Sequence, residues 1–291
     1  MESILIRNPS LTVRLNPVGA VFSSIQKDGH EYLWQGDEAF WPRKDANLFP
    51  CVGRSFAGRY RLGIREYPMS IHGFCQDARF MVTQQEEARV VFTLTDSPET
   101  REIYPFAFGY QVEYRLEGNR IHKICRVENR GKETMHFGLG SHPGFRVPLD
   151  GGEFTDWAFV FSAPCHPRRV CFNHNSWLLA PERPEYPLEE DRRLPLRHDL
   201  FDYDAVVLEN TSGAVTLQSE KSGRCVRVEY PQMPYVGFWH TPQSDAPFVC
   251  VEPWLSLPAP DDHMPDWETL EGLVHLPAGE VYENTVTIVI T

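Results

Sequence analysis

The feature that most constrains the fold is an alternation of apolar and polar residues with a period of two. In the segment 110–116, YQVEYRL, apolar residues occupy every second position and polar residues occupy the positions between them. Successive side chains of a β-strand point to opposite faces of the sheet, so this pattern predicts a strand with one apolar face. Comparable runs are LTVRL, VVFTL, VTLQS, RVEY and TVTIVI. The chain is therefore predicted to be rich in strands.

Short turn sequences separate these runs and indicate how the strands are connected. Glycine, asparagine and aspartate tolerate the positive φ angles of tight hairpin turns. Candidate turns are Asp28-Gly29, Gly118-Asn119, Ser212-Gly213 and Ser222-Gly223. Between residues 80 and 140 strands and turns recur about every ten residues, as in antiparallel meanders packed as a sandwich. We therefore predict an all-β, antiparallel sandwich with little helix, forming a single domain over residues 1–291.

Two segments depart from the strand pattern. The sequence SPETREIY predicts one short helix, with Ser97 as its N-cap. The segment 162–199 is rich in proline, arginine and acidic residues, and it lacks alternation. We interpret it as a long irregular excursion. Long loops in compact domains are often functional or cover a site.

Composition narrows the class of partner and the cellular compartment. The formal charge of −12 and the pI near 5.4 argue against nucleic acid or an anionic membrane as a partner, because both require a basic surface. The seven cysteines include no C-x-x-C pair, which favours free thiols in a reducing compartment. The first residues lack the features of a secretory signal, and no apolar run approaches the length of a membrane span. We expect a cytoplasmic protein. Composition leaves the oligomeric state open.

Common cofactor and hydrolase motifs are missing from the sequence. There is no Walker loop and no G-x-S-x-G, and the glycines at 138, 140 and 144 have neither the spacing nor the following helix of a dinucleotide loop. Residues of the types that bind zinc cluster at Cys165, His166, Cys171 and His174, but their spacing matches no known knuckle. We therefore expect no cofactor and no catalytic metal, and a secondary metal site stays open.

Two residues stand out as candidates for proton transfer. Glu252 interrupts the apolar run FVCV, where a carboxylate would be desolvated, and unusual environments of this kind often mark functional sites. The alternative is a structural glutamate that pairs with an arginine. His142 ends an apolar strand at a proline- and glycine-containing bend, where an imidazole can reach a ligand. The alternative there is a hydrogen-bonded corner histidine, and the local sequence does not decide between the two interpretations.

Further polar or aromatic residues in apolar, turn-rich surroundings are Arg54, His72, Asp204 and Trp239. None of them is specific when taken alone. In order along the chain, however, the motifs around them form a recognisable set, Asn47–Pro50 (NLFP), His72–Phe74 (HGF), His142–Leu149 (HPGFRVPL) and Glu252–Trp254 (EPW). This ordered set, together with the terminal LVHLPAGEVYENTVTIVI, resembles the aldose 1-epimerase or galactose mutarotase-like superfamily over nearly the whole chain.

The resemblance implies a large antiparallel β supersandwich and an enzyme that interconverts the α and β anomers of a free aldose. It implies Glu252 as the base and His142 as the acid, held as carboxylate and imidazolium by their mutual attraction. The positions that match the family's sugar-binding residues are Arg54, His72 and Asp204. Trp239 or Phe74 would pack on the sugar ring. Asp202 is an alternative to Asp204, since it is expected on the same strand face.

One departure from the family pattern concerns the substrate. Relatives that act on hexose 6-phosphates have the sequence H-G-F-A-R, whereas this chain has Gln76 at the place of the arginine. Phosphate recognition favours fixed cationic donors, so Gln76 favours a neutral aldose. A hexose-phosphate 1-epimerase stays open if Arg79 or Arg146 takes over that role. Two more interpretations fit the same residues. One is a non-catalytic carbohydrate-binding protein, and the other is a polysaccharide lyase or a glycosidase, for which Glu252 and Asp204 could supply the two carboxylates of a glycosidase.

Overall fold

The computed structural model describes residues 3–291 and consists mainly of antiparallel strands. In chain order the strands are β1 (Ile4–Arg7), β2 (Thr12–Asn16), β3 (Val21–Lys27), β4 (His30–Glu31), β5 (Asn47–Leu48), β6 (Arg59–Leu62), β7 (Arg65–Pro68), β8 (Met81–Glu86), β9 (Arg89–Thr95), β10 (Phe108–Glu117), β11 (Arg120–Asn129), β12 (Met135–Phe137), β13 (Gly140–Ser141), β14 (Gly144–Arg146), β15 (Trp157–Phe161), β16 (Arg168–Val170), β17 (Arg193–Pro195), β18 (Val206–Glu209), β19 (Ala214–Ser219), β20 (Val226–Glu229), β21 (Tyr235–Trp239), β22 (Phe248–Trp254), β23 (Val274–Leu276) and β24 (Val281–Ile290).

The α-helix that lies among these strands is α1 (Pro98–Ile103), and Ser97 caps it by accepting a hydrogen bond from the Thr100 N–H. This confirms the predicted helix. Short 3₁₀ turns cover Phe56–Gly58, Cys75–Asp77, Phe154–Asp156 and His198–Phe201. No helix within residues 3–291 has both the length and the apolar character to span a bilayer.

Two large sheets form the body of the protein. A nine-stranded sheet has the order β17-β15-β19-β20-β24-β11-β10-β9-β8, and a seven-stranded sheet has the order β16-β18-β21-β22-β13-β5, with β14 also paired to β22. The sheets pack face to face, since Phe159 on β15 stacks on Phe238 on β21 with ring centroids 4.1 Å apart. This confirms the predicted all-β sandwich. The strands β1 to β4 form a smaller sheet, and β6-β7 and β12-β23 form two-stranded ones.

The predicted meander is present between residues 81 and 129, where β8, β9, β10 and β11 are consecutive neighbours. Two of the four predicted turns are two-residue hairpin connections: Gly118-Asn119 joins β10 to β11, and Asp28-Gly29 joins β3 to β4. Ser222-Gly223 lies in a longer connection between β19 and β20. Ser212-Gly213 leads from one large sheet to the other, because a local turn sequence does not specify which strand is the partner.

Strand β22 explains why its sequence shows no alternation. Every residue of FVCVEPW is buried. Val249 and Val251 point into the main core between the sheets, whereas Phe248 and Cys250 belong to a separate cluster on the other face. Both faces of this strand are covered, so apolar residues occupy nearly every position. Glu252 lies on the face away from the main core. All seven cysteines are free thiols, as predicted.

Candidate active site

Strand register brings His142 and Glu252 together. The strands β13 and β14 flank His142 and both pair with β22, with Gly140 opposite Trp254 and Gly144 opposite Cys250. His142 lies midway between those partners, so the bend that contains it falls beside Glu252. The bend is fixed by the His142 N–H, which donates to the carbonyl of Ala46 at 3.0 Å.

The two side chains are in direct contact in a nearly dry environment. His142 Nε2 lies 3.2 Å from Glu252 Oε2, and the Glu252 side chain is only 2% exposed. The imidazole stacks on Trp41, with ring centroids 5.1 Å apart, and meets Trp239 edge-on. The aromatic rings limit the orientation of the imidazole and exclude water from one side of the pair.

Burial shifts the two groups toward their neutral forms. It raises the pKa of Glu252 well above its usual value, and the nearby Asp204 carboxylate raises it further. Burial also lowers the pKa of His142, with smaller contributions from His72 and Lys123. This differs from the expectation of a stable ion pair, because desolvation acts on each charge separately. A neutral pair and an ion pair contain the same single proton, held on Oε2 in one case and on Nε2 in the other.

His72 lies next to this pair and has a defined tautomer. Its Nδ1 accepts a hydrogen bond from the Gly53 N–H at 3.1 Å, and its ring meets that of His142 edge-on. Burial lowers the pKa of His72 to about 4, aided by the guanidinium of Arg54. The neutral ring therefore carries its proton on Nε2, which is available as a hydrogen-bond donor.

The other predicted residues line the same cavity. Arg54, Asp204 and Trp239 surround His142 and Glu252 in a cavity of about 330 Å³. Burial raises the pKa of Asp204, and Arg54 partly offsets this effect. Trp239 ends β21, and Asp204 lies in the turn before β18, the neighbour of β21 in the sheet. The structure thus brings together all six residues predicted from the sequence.

Several cavity residues were not predicted. Phe172 and Trp177 come from the irregular segment 162–199, which thereby forms part of the wall. Trp41 and Arg43 also line the cavity. The guanidinium of Arg43 is paired with Asp77 at 2.7 Å. These residues lie in loops without periodicity, and the only signal in the sequence is the high density of tryptophan and proline around position 41.

Of the two aromatic alternatives, Trp239 lines the cavity and Phe74 does not, and the expected shared strand face of Asp202 and Asp204 is wrong. Phe74 packs on Phe49, Tyr104 and Phe108 in the core and does not line the cavity. Asp202 and Asp204 do not share a strand face: residue 202 ends a 3₁₀ turn and residue 204 adopts a positive φ.

Neither of the arginines considered as a substitute for the missing one lines this cavity. Arg79 lies in a bridge with Val18, and Arg146 lines a different cavity.

The loop cysteines and histidines do not gather into one site within the described part of the chain. Over residues 3–291, Cys165, His166, Cys171 and His174 belong to no group of three potential ligands that lie within 4.8 Å of one another. His166 is exposed and faces Asp191. The secondary metal site considered for this segment is therefore not supported.

A buried polar layer lies beneath the site. Lys123 on β11 is 1% exposed, and its Nζ donates to Ser141 Oγ at 2.6 Å, directly beside His142. Asp45 is 3% exposed, and its Oδ2 accepts from the Phe22 N–H. Both charges act on the Cys125 thiol. Burial raises the pKa of this thiol most strongly; the positive charge of Lys123 lowers it, and the negative charge of Asp45 raises it further. The strand pattern did not predict these residues as a group, because they come from distant segments.

Comparisons with known proteins agree with this architecture. A sequence profile described as Aldose 1-epimerase matches residues 2–288. The chain is 33% identical over 266 residues to the chromosomal protein LacX of Lactococcus lactis, covering 88% of each chain. A galactose mutarotase related enzyme from Lactobacillus acidophilus has a TM-score of 0.95 at 30% identity, covering 100% of this chain and 97% of the other. A galactose mutarotase-like protein from Lactobacillus casei has a TM-score of 0.93 at 32% identity, with full coverage of both.

Proposed function

The chain belongs to the aldose 1-epimerase family, and on that premise we propose that it interconverts the α and β anomers of a free aldose such as glucose or galactose. Membership makes it an aldose epimerase-like enzyme with a sugar substrate. The single observation that carries the narrower proposal is the 3.2 Å contact between His142 Nε2 and Glu252 Oε2 inside the cavity. The cavity has a volume of about 330 Å³, which is at the lower end of the range for small-molecule sites.

The reaction requires a base and an acid that lie next to each other. Ring opening removes a proton from the anomeric hydroxyl and delivers a proton to the ring oxygen, and both oxygens are bonded to the same carbon. Glu252 takes the hydroxyl proton as the base, and His142 protonates the ring oxygen as the acid. The carbon–oxygen bond of the ring breaks, and the aldehyde forms. After rotation about the bond to the neighbouring carbon, closure returns both protons and yields the other anomer.

The one proton shared by His142 and Glu252 accounts for both the acid role and the base role. When it resides on His142 Nε2, the carboxylate of Glu252 is free to act as the base. The short contact between the two groups lets the proton move from Oε2 to Nε2 once the polar groups of a sugar enter the cavity. General acid and general base catalysis each contribute about 10²–10⁴-fold in rate.

The remaining cavity residues bind and orient the sugar. His72 donates from Nε2 to a hydroxyl oxygen, Asp204 accepts from hydroxyl groups, and Arg54 donates to them. The ring of Trp239 offers an apolar surface to the C–H groups of the pyranose. A neutral aldose is favoured over a phosphosugar because the Arg43 guanidinium is already paired with Asp77.

The test is the rate of anomer exchange measured by polarimetry on freshly dissolved α-glucose and α-galactose, with glucose 6-phosphate as a third substrate. We expect acceleration for the neutral sugars and a loss of at least about 100-fold in Glu252→Gln and in His142→Asn. Matched controls are Glu283→Gln and His263→Asn, which alter exposed residues. Wild-type rates in either active-site variant would contradict the assignment.

The same assay separates the competing functions. Preferential turnover of glucose 6-phosphate would identify a hexose-phosphate 1-epimerase. Binding of sugar without acceleration would indicate a carbohydrate-binding protein, and release of reducing ends from oligosaccharides would indicate a glycosidase.

A further inference from the structure

Cys250 is a buried thiol with no role in anomer exchange. It lies two residues before Glu252 on β22, so the two side chains share one face of the strand. On the neighbouring strand it is opposite Gly144, and a Cβ at that glycine would lie 3.4 Å from the Cys250 Sγ. Within residues 3–291, the thiol has no hydrogen-bond partner.

The thiol completes a set of three donor atoms of different kinds. One atom each from His142, Cys250 and Glu252 lies within 4.8 Å of the other two. The acid and base roles of His142 and Glu252 do not account for a thiol at this distance.

We propose that His142, Cys250 and Glu252 form a zinc-binding site whose occupation inhibits the enzyme. Imidazole nitrogen, thiolate sulfur and carboxylate oxygen are the ligand types that Zn²⁺ takes in proteins, and three protein ligands with one open position are typical of accessible zinc sites. This inference goes beyond the proposed function, because metal binding here does not depend on which sugar is turned over.

To bind zinc, the three ligand atoms must come only slightly closer together. Zinc–ligand distances of about 2.0–2.3 Å place tetrahedral ligand atoms roughly 3.3–3.7 Å apart. The His142–Glu252 contact of 3.2 Å is just below this spacing, and the largest separation in the group is 4.8 Å at most. Binding requires the Cys250 Sγ to move toward His142 Nε2 and Glu252 Oε2 until all three atoms reach this spacing. His142 and Glu252 line the cavity, so an ion would approach from that side; Cys250 is fully buried and does not line the cavity itself.

The charge of the ion is fully compensated in the complex. A thiolate and a carboxylate together carry two negative charges, and the imidazole is neutral as a ligand. Binding therefore releases to solvent the thiol proton and the one proton shared by His142 and Glu252. A neutral cluster suits a buried position, where an uncompensated charge is costly. Because zinc uses the atoms that would move protons, the occupied site is inactive.

The binding test uses Zn²⁺ and Cd²⁺ with the full-length protein. We expect one equivalent of Zn²⁺ in calorimetric titration and an ultraviolet cadmium–thiolate charge-transfer band on addition of Cd²⁺. Cys250→Ser is expected to abolish the band and weaken Zn²⁺ binding at least about 100-fold, more than the loss of an outer partner of a metal ligand typically costs. The matched control is Cys75→Ser, another fully buried thiol, which lies in the main core.

The inhibition test adds Zn²⁺ to the anomer-exchange assay and then removes it with a chelator. We expect reversible inhibition in the wild type and in Cys75→Ser, and none at the same Zn²⁺ concentration in Cys250→Ser. If thermal melting shows that Cys250→Ser is unfolded, Cys250→Ala takes its place. Equal zinc affinity with and without the Cys250 sulfur, or zinc binding that leaves exchange unchanged, would overturn the proposal. The calorimetric and spectroscopic results stand even if the enzyme acts on a different sugar.

Discussion

The buried charges beneath the candidate active site give a quantitative prediction about stability. Lys123 and Asp45 are almost completely buried, and their opposite charges both act on the Cys125 thiol. Lys123→Met keeps the length of the side chain but removes the ammonium group. It deletes a hydrogen bond to Ser141 that involves a charged donor.

The expected size follows from this loss. A hydrogen bond to a charged group contributes about 1.5–3 kcal/mol. We therefore expect Lys123→Met to lower the free energy of unfolding by about 1.5–3 kcal/mol. Asp45→Asn should also destabilise the protein, although the amide oxygen can still accept from the Phe22 N–H.

A double-mutant cycle separates the interaction of the two charges from their other contacts. Urea unfolding is measured for the wild type, Lys123→Met, Asp45→Asn and the double variant. If the charges compensate each other, the double variant loses less stability than the sum of the single variants by at least about 1 kcal/mol. Additivity within about 0.5 kcal/mol would refute the reasoning, because independent sites behave in that way.

Two further predictions concern stability. Burial lowers the pKa of His240 to about 4, so between about pH 6.5 and pH 4 the unfolded state binds more protons than the folded state. Stability should therefore fall as the pH falls through that window, by at most about 3 kcal/mol from this residue. Urea unfolding at several pH values should show a shallower slope in His240→Asn, and an unchanged slope would contradict the assignment. Gly73 adopts φ +78°, and a Cβ there would lie 2.1 Å from the carbonyl oxygen of Phe49. Gly73→Ala should cost at least about 2 kcal/mol by thermal melting, whereas Gly29→Ala, with φ +76° and open space, should show only the conformational part; equal losses would exclude the steric cause.

The period-two pattern was sufficient to predict the fold class and the meander, and the N-cap signal at Ser97 was sufficient to predict the helix. These features depend on neighbouring residues: alternation specifies a strand, and a Gly-Asn pair specifies a hairpin. The same local logic does not identify the partner of each strand, so the turn at Ser212-Gly213, predicted as a hairpin, instead connects two sheets. The local sequence around Phe74 likewise does not show that this side chain packs in the core.

The sequence by itself determined that the chain forms antiparallel strands, and its ordered motifs indicated the family and six residues of the site. Only the tertiary structure decided that His142 meets Glu252, because that contact depends on β13 and β14 both pairing with β22. It also decided that Trp41 and Trp177 line the cavity, that Asp204 and not Asp202 faces it, and that Cys250 lies beside the pair. The physical reason is that strand pairing joins residues far apart in the chain, and the pattern along one strand carries no information about its neighbours.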